Sequence, residues 1–443
     1  MNIPLDNLYH WVEGLAQRPV ILYVFRPHGS KDIFDLGHFK NYDQENSMIP
    51  NMICYDQEPL NFSEYQFDHD MNRLVELIES IHRDDKNLTV VISNWLRFYS
   101  RLDQYPKFKP TWLNAVFDAK DWSILLHSEW NSWDVEQFSQ NGFRPVYYWS
   151  HAVIARDWYR FAQHDVRLAH RQIEKTFLVY CRDWTPNREY RLKFMELLLN
   201  ADLLDQCKIS TQHTNNQGVH LCDYQVQNTR FAVDAQRLLA IPDNNTAPSA
   251  SADYDAVDIT STAVSVVLET VFDTSKIHLT EKILRPIACG HPFVLAAGPG
   301  ALAYLRRYGF QTFDSVFDES YDQETDCVKR LEKIIKTMQQ IQTLTEADWE
   351  KIRGISEHNR QHFFSDEFIN QVSSELQHNL DQAIDFCYEN RGDTFWRYRK
   401  NWRSVGGKLS PDFKSDYIRR SIQQLRQHRL RRSQNNSGPV VGQ

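Results

Sequence analysis

Four groups of side chains in this sequence are equipped for chemistry. The first is Thr280-Glu281-Lys282, which opens an apolar helical stretch. A threonine there caps free amides of the first turn, and a glutamate in that turn is favoured by the helix dipole. The same helix end attracts phosphate, so Lys282 beside those amides forms a pocket for a diphosphate. Glu269, at the end of the preceding apolar run, or Glu281 is then placed to accept hydrogen bonds from ligand hydroxyls. An ordinary capped helix with a solvated Glu-Lys pair uses the same residues.

The second group is Arg182, Arg188 and Arg191, one at a strand end and two, one turn apart, at the start of the next helix. Guanidinium groups gathered there neutralise a departing diphosphate, or else pair on the surface with acids such as Glu189. The third is Asp56 and Glu58 in ICYDQEPL, two carboxylates at a strand end, with Glu129 of LLHSEW as another. A carboxylate so placed is a general base for an attacking hydroxyl, with Glu58 ahead of Asp56, or a turn residue. The fourth is His151 with Arg156 and Asp157, near the junction of the two halves of the chain. The loop AAGPGA, residues 296–301, offers close backbone approach but has neither a dinucleotide-binding nor a P-loop pattern. Asp68-His69-Asp70 and Asp253-Tyr254-Asp255 match D-x-D, yet one opens a helix and the other lies in a loop, so no metal site is expected.

Strand-like and helix-like runs alternate along the chain, as in βαβ units around a parallel sheet. Strands are expected at 20–25, 52–55, 88–92, 123–127 and 145–148, with a helix at 70–82. After a helical segment, HAVIARDWYRFAQHD, the pattern restarts: strands at 176–181, 208–210, 263–268 and 293–296, helices at 188–199 and 281–289. Residues 241–258 read as an exposed loop, and the chain beyond 325 as mostly helical and charged. The fold class expected is α/β, two Rossmann-like domains facing a cleft. These are residues 1–168 and 169–385, with a helical, basic extension over 386–443. Ligands of such folds bind outside the carboxyl ends of the strands.

A chain of 443 residues with 42% hydrophobic and 24% charged residues has the composition of a globular protein. No apolar run approaches the roughly 20 residues of a membrane-spanning helix, and the first residues lack a signal-peptide pattern, so a cytoplasmic protein is expected. Seven cysteines without metal or disulfide spacing read as reduced, buried thiols. The net charge of -8 argues against whole-surface attraction to nucleic acid. Arg419, Arg420, Arg426, Arg429, Arg431 and Arg432 nevertheless make a basic tail able to meet nucleic acid, an anionic membrane or an acidic glycan.

The order glutamate, spacer, T-E-K, apolar helix, Cys-Gly, P-F-V-L over residues 269–295 resembles the donor-binding segment of α1,3-fucosyltransferase-type GT-B glycosyltransferases. Over a longer stretch the chain is similar to glycosyltransferase-like proteins of tailed-phage and marine viral genomes. It shares with them RPIACGHPF at 285–293, GFQTF at 309–313 and DESYD at 318–322, along with CYDQEPL at 54–60 and YYWSHAVIARDWYR at 147–160. The resemblance implies a metal-independent transferase with no cofactor beyond its nucleotide-sugar co-substrate, in the host cytoplasm if virus-encoded. It implies donor contacts for Glu281 and Lys282, and matches Glu269 to the family's earlier acid. That family's F-E-N-S is L-E-T-V here, which leaves the sugar unassigned, and the acceptor remains a glycan, a protein or a modified nucleobase. Two other readings stand beside it: a non-catalytic nucleotide-binding module, and a nucleic-acid-associated protein anchored by the Arg-rich tail.

Overall fold

The computed structural model describes residues 15, 21–24, 51–55, 123–140, 143–184, 188–215, 218–248 and 251–389. They form a mixed α/β protein with two four-stranded sheets, divided into two compact units. Most of the first sheet belongs to one unit. Its strands are β1 (Ile21–Val24), β2 (Asn51–Tyr55), β3 (Ser123–His127) and β4 (Phe143–Tyr147), in that order across the sheet, with α1 (Trp133–Gln140) between β3 and β4. β1 and β2 run parallel with Ile21 against Asn51. Ile124 and Leu126, two apart in β3, are both fully buried, as the period of a strand requires. The strand expected at 88–92, the helix at 70–82, Asp56, Glu58, Asp68, Asp70 and the arginine tail lie outside the described residues.

Of the described residues, the other unit takes those in His127–Trp133 and Tyr147–His378. It begins with α2 (Ser150–Trp158) and two 3-10 turns, Arg160–His164 and Val166–Ala169. Then come β5 (Lys175–Cys181), α3 (Tyr190–Asn200), β6 (Cys207–Thr211), α4 (Ala235–Leu238), α5 (Ala256–Thr260) and β7 (Thr262–Leu268). α6 (Glu281–Ala288), β8 (Phe293–Ala296), α7 (Ala301–Arg307), α8 (Cys327–Ile341), α9 (Glu346–Phe364) and α10 (Asp366–Glu389) complete the order, α10 running past the unit's end. The strand order is β6-β5-β7-β8 and every pairing is parallel. Val179 of β5 stands between Ile209 of β6 and Val266 of β7. All three are buried, as are the β8 residues Phe293, Val294, Leu295 and Ala296. Burial on both faces explains why these strands read as unbroken apolar runs.

α6 forms because Ile283, Leu284, Ile287 and Ala288 repeat at helical spacing, and all four are buried. It starts at Thr280, whose hydroxyl accepts from the Lys282 amide, and stops at Cys289. Gly290 follows with φ of 62°, where a side chain is disfavoured. Ahead of α2, the fully buried Trp149 packs its ring 5.0 to 6.2 Å, centre to centre, from Tyr304, Tyr308, Phe310 and Phe368. Its Nε1 donates to the Leu279 carbonyl at 2.9 Å, which fixes the approach to α6. Among the described residues no helix is long and apolar enough to cross a membrane.

Candidate functional site

Parallel pairing brings the carboxyl ends of β5 and β7 side by side, with the first turn of α6 opposite. Between them lies a cavity of about 110 Å³. Leu178, Val266, Leu268 and Ile259 supply its apolar wall, and Tyr180, Arg182, Arg191, Glu281, Lys282 and Arg285 its polar one. Ala247, Pro248 and Ser251 close a further side, so these three residues of the segment expected as an exposed loop, 241–258, line the cavity. Four basic side chains thus face the cavity against one carboxylate.

The three arginines each donate to backbone carbonyls. Arg182 directly follows β5 and its guanidinium donates to the Pro248 carbonyl at 3.3 Å. Arg191, in the first turn of α3, is buried and donates to the carbonyls of Asp183 and Leu268, each at 2.6 Å. Arg285, one turn after Glu281, donates to the Ser251 carbonyl at 3.1 Å and lies over the Tyr180 ring. The Nε atoms of Arg191 and Arg285 are buried without a hydrogen-bond partner among the described residues. Carbonyl oxygens orient a guanidinium without cancelling its charge, which leaves it attractive to an anion.

Lys282 is folded back onto its own helix start. Its Nζ lies 2.8 Å from Glu281 Oε1 and 3.2 Å from Thr280 Oγ1. The Glu281 side chain is buried, and its Oε2 faces His151 Nδ1 at 3.5 Å. Burial alone pushes the Glu281 carboxyl up, but Lys282, His151 and Arg285 outweigh it and hold the group well below the usual carboxylate range. It is therefore an anion at neutral pH.

Glu269 and Thr280 stand behind this site and do not line the cavity. Glu269 is fully buried and accepts from the Thr280 amide at 3.0 Å, the Thr280 hydroxyl at 2.7 Å and the Thr270 amide at 3.1 Å. Burial pushes its carboxyl up, against the opposing pull of Lys282 and Thr280. Its role in this geometry is to brace the cap of α6.

The other expected residues fall in three places. Arg188 precedes α3 and pairs with Asp183 at 2.6 Å, away from the cavity lining. Glu189, the acid expected to take a surface arginine, is buried and instead accepts from the amides of Gln227 and Asn228. Arg156 reaches the carbonyls of Phe363, Phe364 and Ser365 at 2.5 to 2.9 Å, so it caps the carboxyl end of α9. Glu129 is buried in an ion pair with Lys276 at 2.9 Å and accepts from Ser132. Beside that pair, the buried His278 presents its ring to His151 at 5.1 Å. Burial, with His151 and Lys276 nearby, holds His278 well below the ordinary histidine value.

The glycine loop at 296–301 approaches the chain itself. A Cβ on Gly298 would meet the carbonyl oxygens of Asp273 and Lys276 at 2.8 and 3.0 Å. The Asp322 carboxylate takes the amides of Leu302 and Ala303 that open α7. Asp255 of the second D-x-D caps α5 through the amides of Val257 and Asp258.

Sequence reasoning passed over Arg285, Tyr180, Lys276 and His278. Arg285 had a signal, its four-residue spacing from Glu281, which puts both on one helix face. Lys276 and His278 had none, since their partners are more than a hundred residues away. Comparison with protein-family models, with curated proteins and with solved structures finds no match for this chain.

Proposed function

We propose that the protein is a glycosyltransferase of GT-B architecture that binds a nucleotide-sugar donor at this cavity and transfers the sugar to an acceptor hydroxyl. The observation that carries the reading is the excess of oriented positive charge, Arg182, Arg191, Lys282 and Arg285, in a concavity at the carboxyl ends of two parallel strands. Cleavage of a sugar–phosphate bond develops negative charge on the departing diphosphate, and fixed cations in a low-dielectric pocket stabilise that charge where it appears. The cavity is small and takes the anionic part of the donor. Glu281 accepts from a hydroxyl of the same ligand, while Asp56 or Glu58 removes the acceptor proton during direct displacement.

A panel of nucleotides and nucleotide sugars, scored by thermal shift and then by release of free nucleotide, tests this reading. One donor is expected to raise the melting temperature and to be slowly hydrolysed without acceptor. Lys282→Ala and Arg182→Ala should each weaken that donor about ten-fold or more, the worth of a charge-assisted hydrogen bond. Glu58→Gln should lower turnover with donor affinity unchanged. Unaltered binding in both cation variants would overturn the assignment, and binding without any turnover would favour a non-catalytic nucleotide-binding module.

A further inference from the structure

The Glu281 carboxylate is shared between two partners. Oε1 holds Lys282 at 2.8 Å and Oε2 faces the His151 imidazole at 3.5 Å, with both the histidine and the glutamate buried. While Glu281 holds Lys282, the ammonium is occupied, and the carboxylate charge opposes any anion entering the cavity. We infer that His151 is a positioning residue that takes over the Glu281 carboxylate when an anion binds Lys282, so that anion binding is coupled to protonation of the His151 imidazole. The inference rests on the anion-binding role of the cavity given above.

The surroundings of His151 favour this exchange. From α6 it is faced by Glu281, with Lys282 and Arg285 beyond it. The segment before α6 contributes His278, ring to ring, and Lys276, whose charge is matched by Glu129 at 2.9 Å. Glu269, at the end of β7, lies behind Glu281. With the cavity empty, Glu281 answers to the cations Lys282 and Arg285 as well as to His151. A bound anion compensates those cations and leaves Glu281 in need of a donor. A protonated imidazole supplies it as a charge-assisted hydrogen bond. By linkage, the ligand that draws a proton onto His151 binds more weakly as pH rises through the titration of that histidine.

Calorimetric titration of the full chain with inorganic diphosphate, in buffers of different ionisation enthalpy, tests the coupling. Proton uptake by the parent should exceed that of His151→Asn, and its affinity should fall about ten-fold more than the variant's between about pH 6 and pH 8. Glu281→Gln should lose the same extra uptake, which keeps the inference testable if the histidine variant does not fold. Diphosphate binding with equal uptake in parent and variants overturns this inference and leaves the donor reading standing. Failure of diphosphate to bind while a nucleotide sugar does also overturns it alone. Failure of both ligands to bind removes the two together.

Discussion

A buried carboxylate whose burial outweighs its partners should make itself felt in the pH dependence of stability, and Glu319 is such a residue. It is buried beside the Phe313 amide, which donates to it at 2.8 Å, and Arg306 is only at 3.5 Å. Burial outweighs these contacts and pushes its carboxyl up to about 7. The native value lies above the unfolded one, so its stabilising contribution is complete below about pH 4.5 and is lost as pH rises through about 7. The shift corresponds to roughly 3 kcal/mol. Urea unfolding of the parent and of Glu319→Gln at about pH 5 and pH 8 should show the stability difference between them moving by about that amount, the parent losing ground at the higher pH. A constant difference would mean that the carboxyl titrates near its ordinary value. At this scale sequence alone is least informative: DESYD presents Glu319 as one acid among several, and nothing in that stretch shows that its side chain is enclosed.

At the scale of elements, the start of α6 combines two functions in one threonine. Thr280 accepts from the Lys282 amide and donates to Glu269, which is fully buried. Loss of an N-cap costs about 0.5–2 kcal/mol, and a buried acceptor left short of a partner about 1–3 more. Thr280→Val should therefore destabilise by about 2–4 kcal/mol in denaturant titration, and Thr280→Ser by less than about 1, because the hydroxyl remains. A loss in Thr280→Ser as large as that in Thr280→Val would mean that the methyl group contributes as much as the hydroxyl and that the hydrogen bonds do not dominate. The cap and the flanking strands were legible in the sequence because local rules determine them. Strands expected at 176–181, 208–210, 263–268 and 293–296 are observed at Lys175–Cys181, Cys207–Thr211, Thr262–Leu268 and Phe293–Ala296. Apolar runs buried on both faces leave that trace. Illegible were the roles within the site. The 3-residue step from Arg188 to Arg191 promised a shared face, but the helix begins at Tyr190, so Arg188 lies outside it and turns to Asp183. Glu269 read as a ligand contact because its position at a strand end is visible, whereas its three donors, two of them on Thr280, are not.

At the scale of the whole molecule, the unit that carries the cavity is not one continuous stretch of chain. Of the described residues, it takes those in His127–Trp133 as well as in Tyr147–His378. The boundary read from the sequence, residue 168, separates α2 from the elements it packs on. A fragment of residues 169–385 would lack Glu129, leaving the buried Lys276 without that partner, and would lack Trp149, Val153 and Ile154, which are buried in the same unit. Removing one member of a buried ion pair costs about 3–5 kcal/mol, and each large apolar side chain lost from a core about 1.5–3 more. The sum exceeds most of the roughly 5–15 kcal/mol by which a domain is stable. The 169–385 fragment should therefore show no cooperative unfolding and no fixed near-ultraviolet circular dichroism. A fragment of residues 127–378, which keeps the pair, α2 and the Arg156 cap of α9, should show both. Cooperative unfolding of the shorter fragment would mean that the elements before residue 169 contribute little to this core, and that the cavity needs neither His151 nor Glu129 to hold its shape.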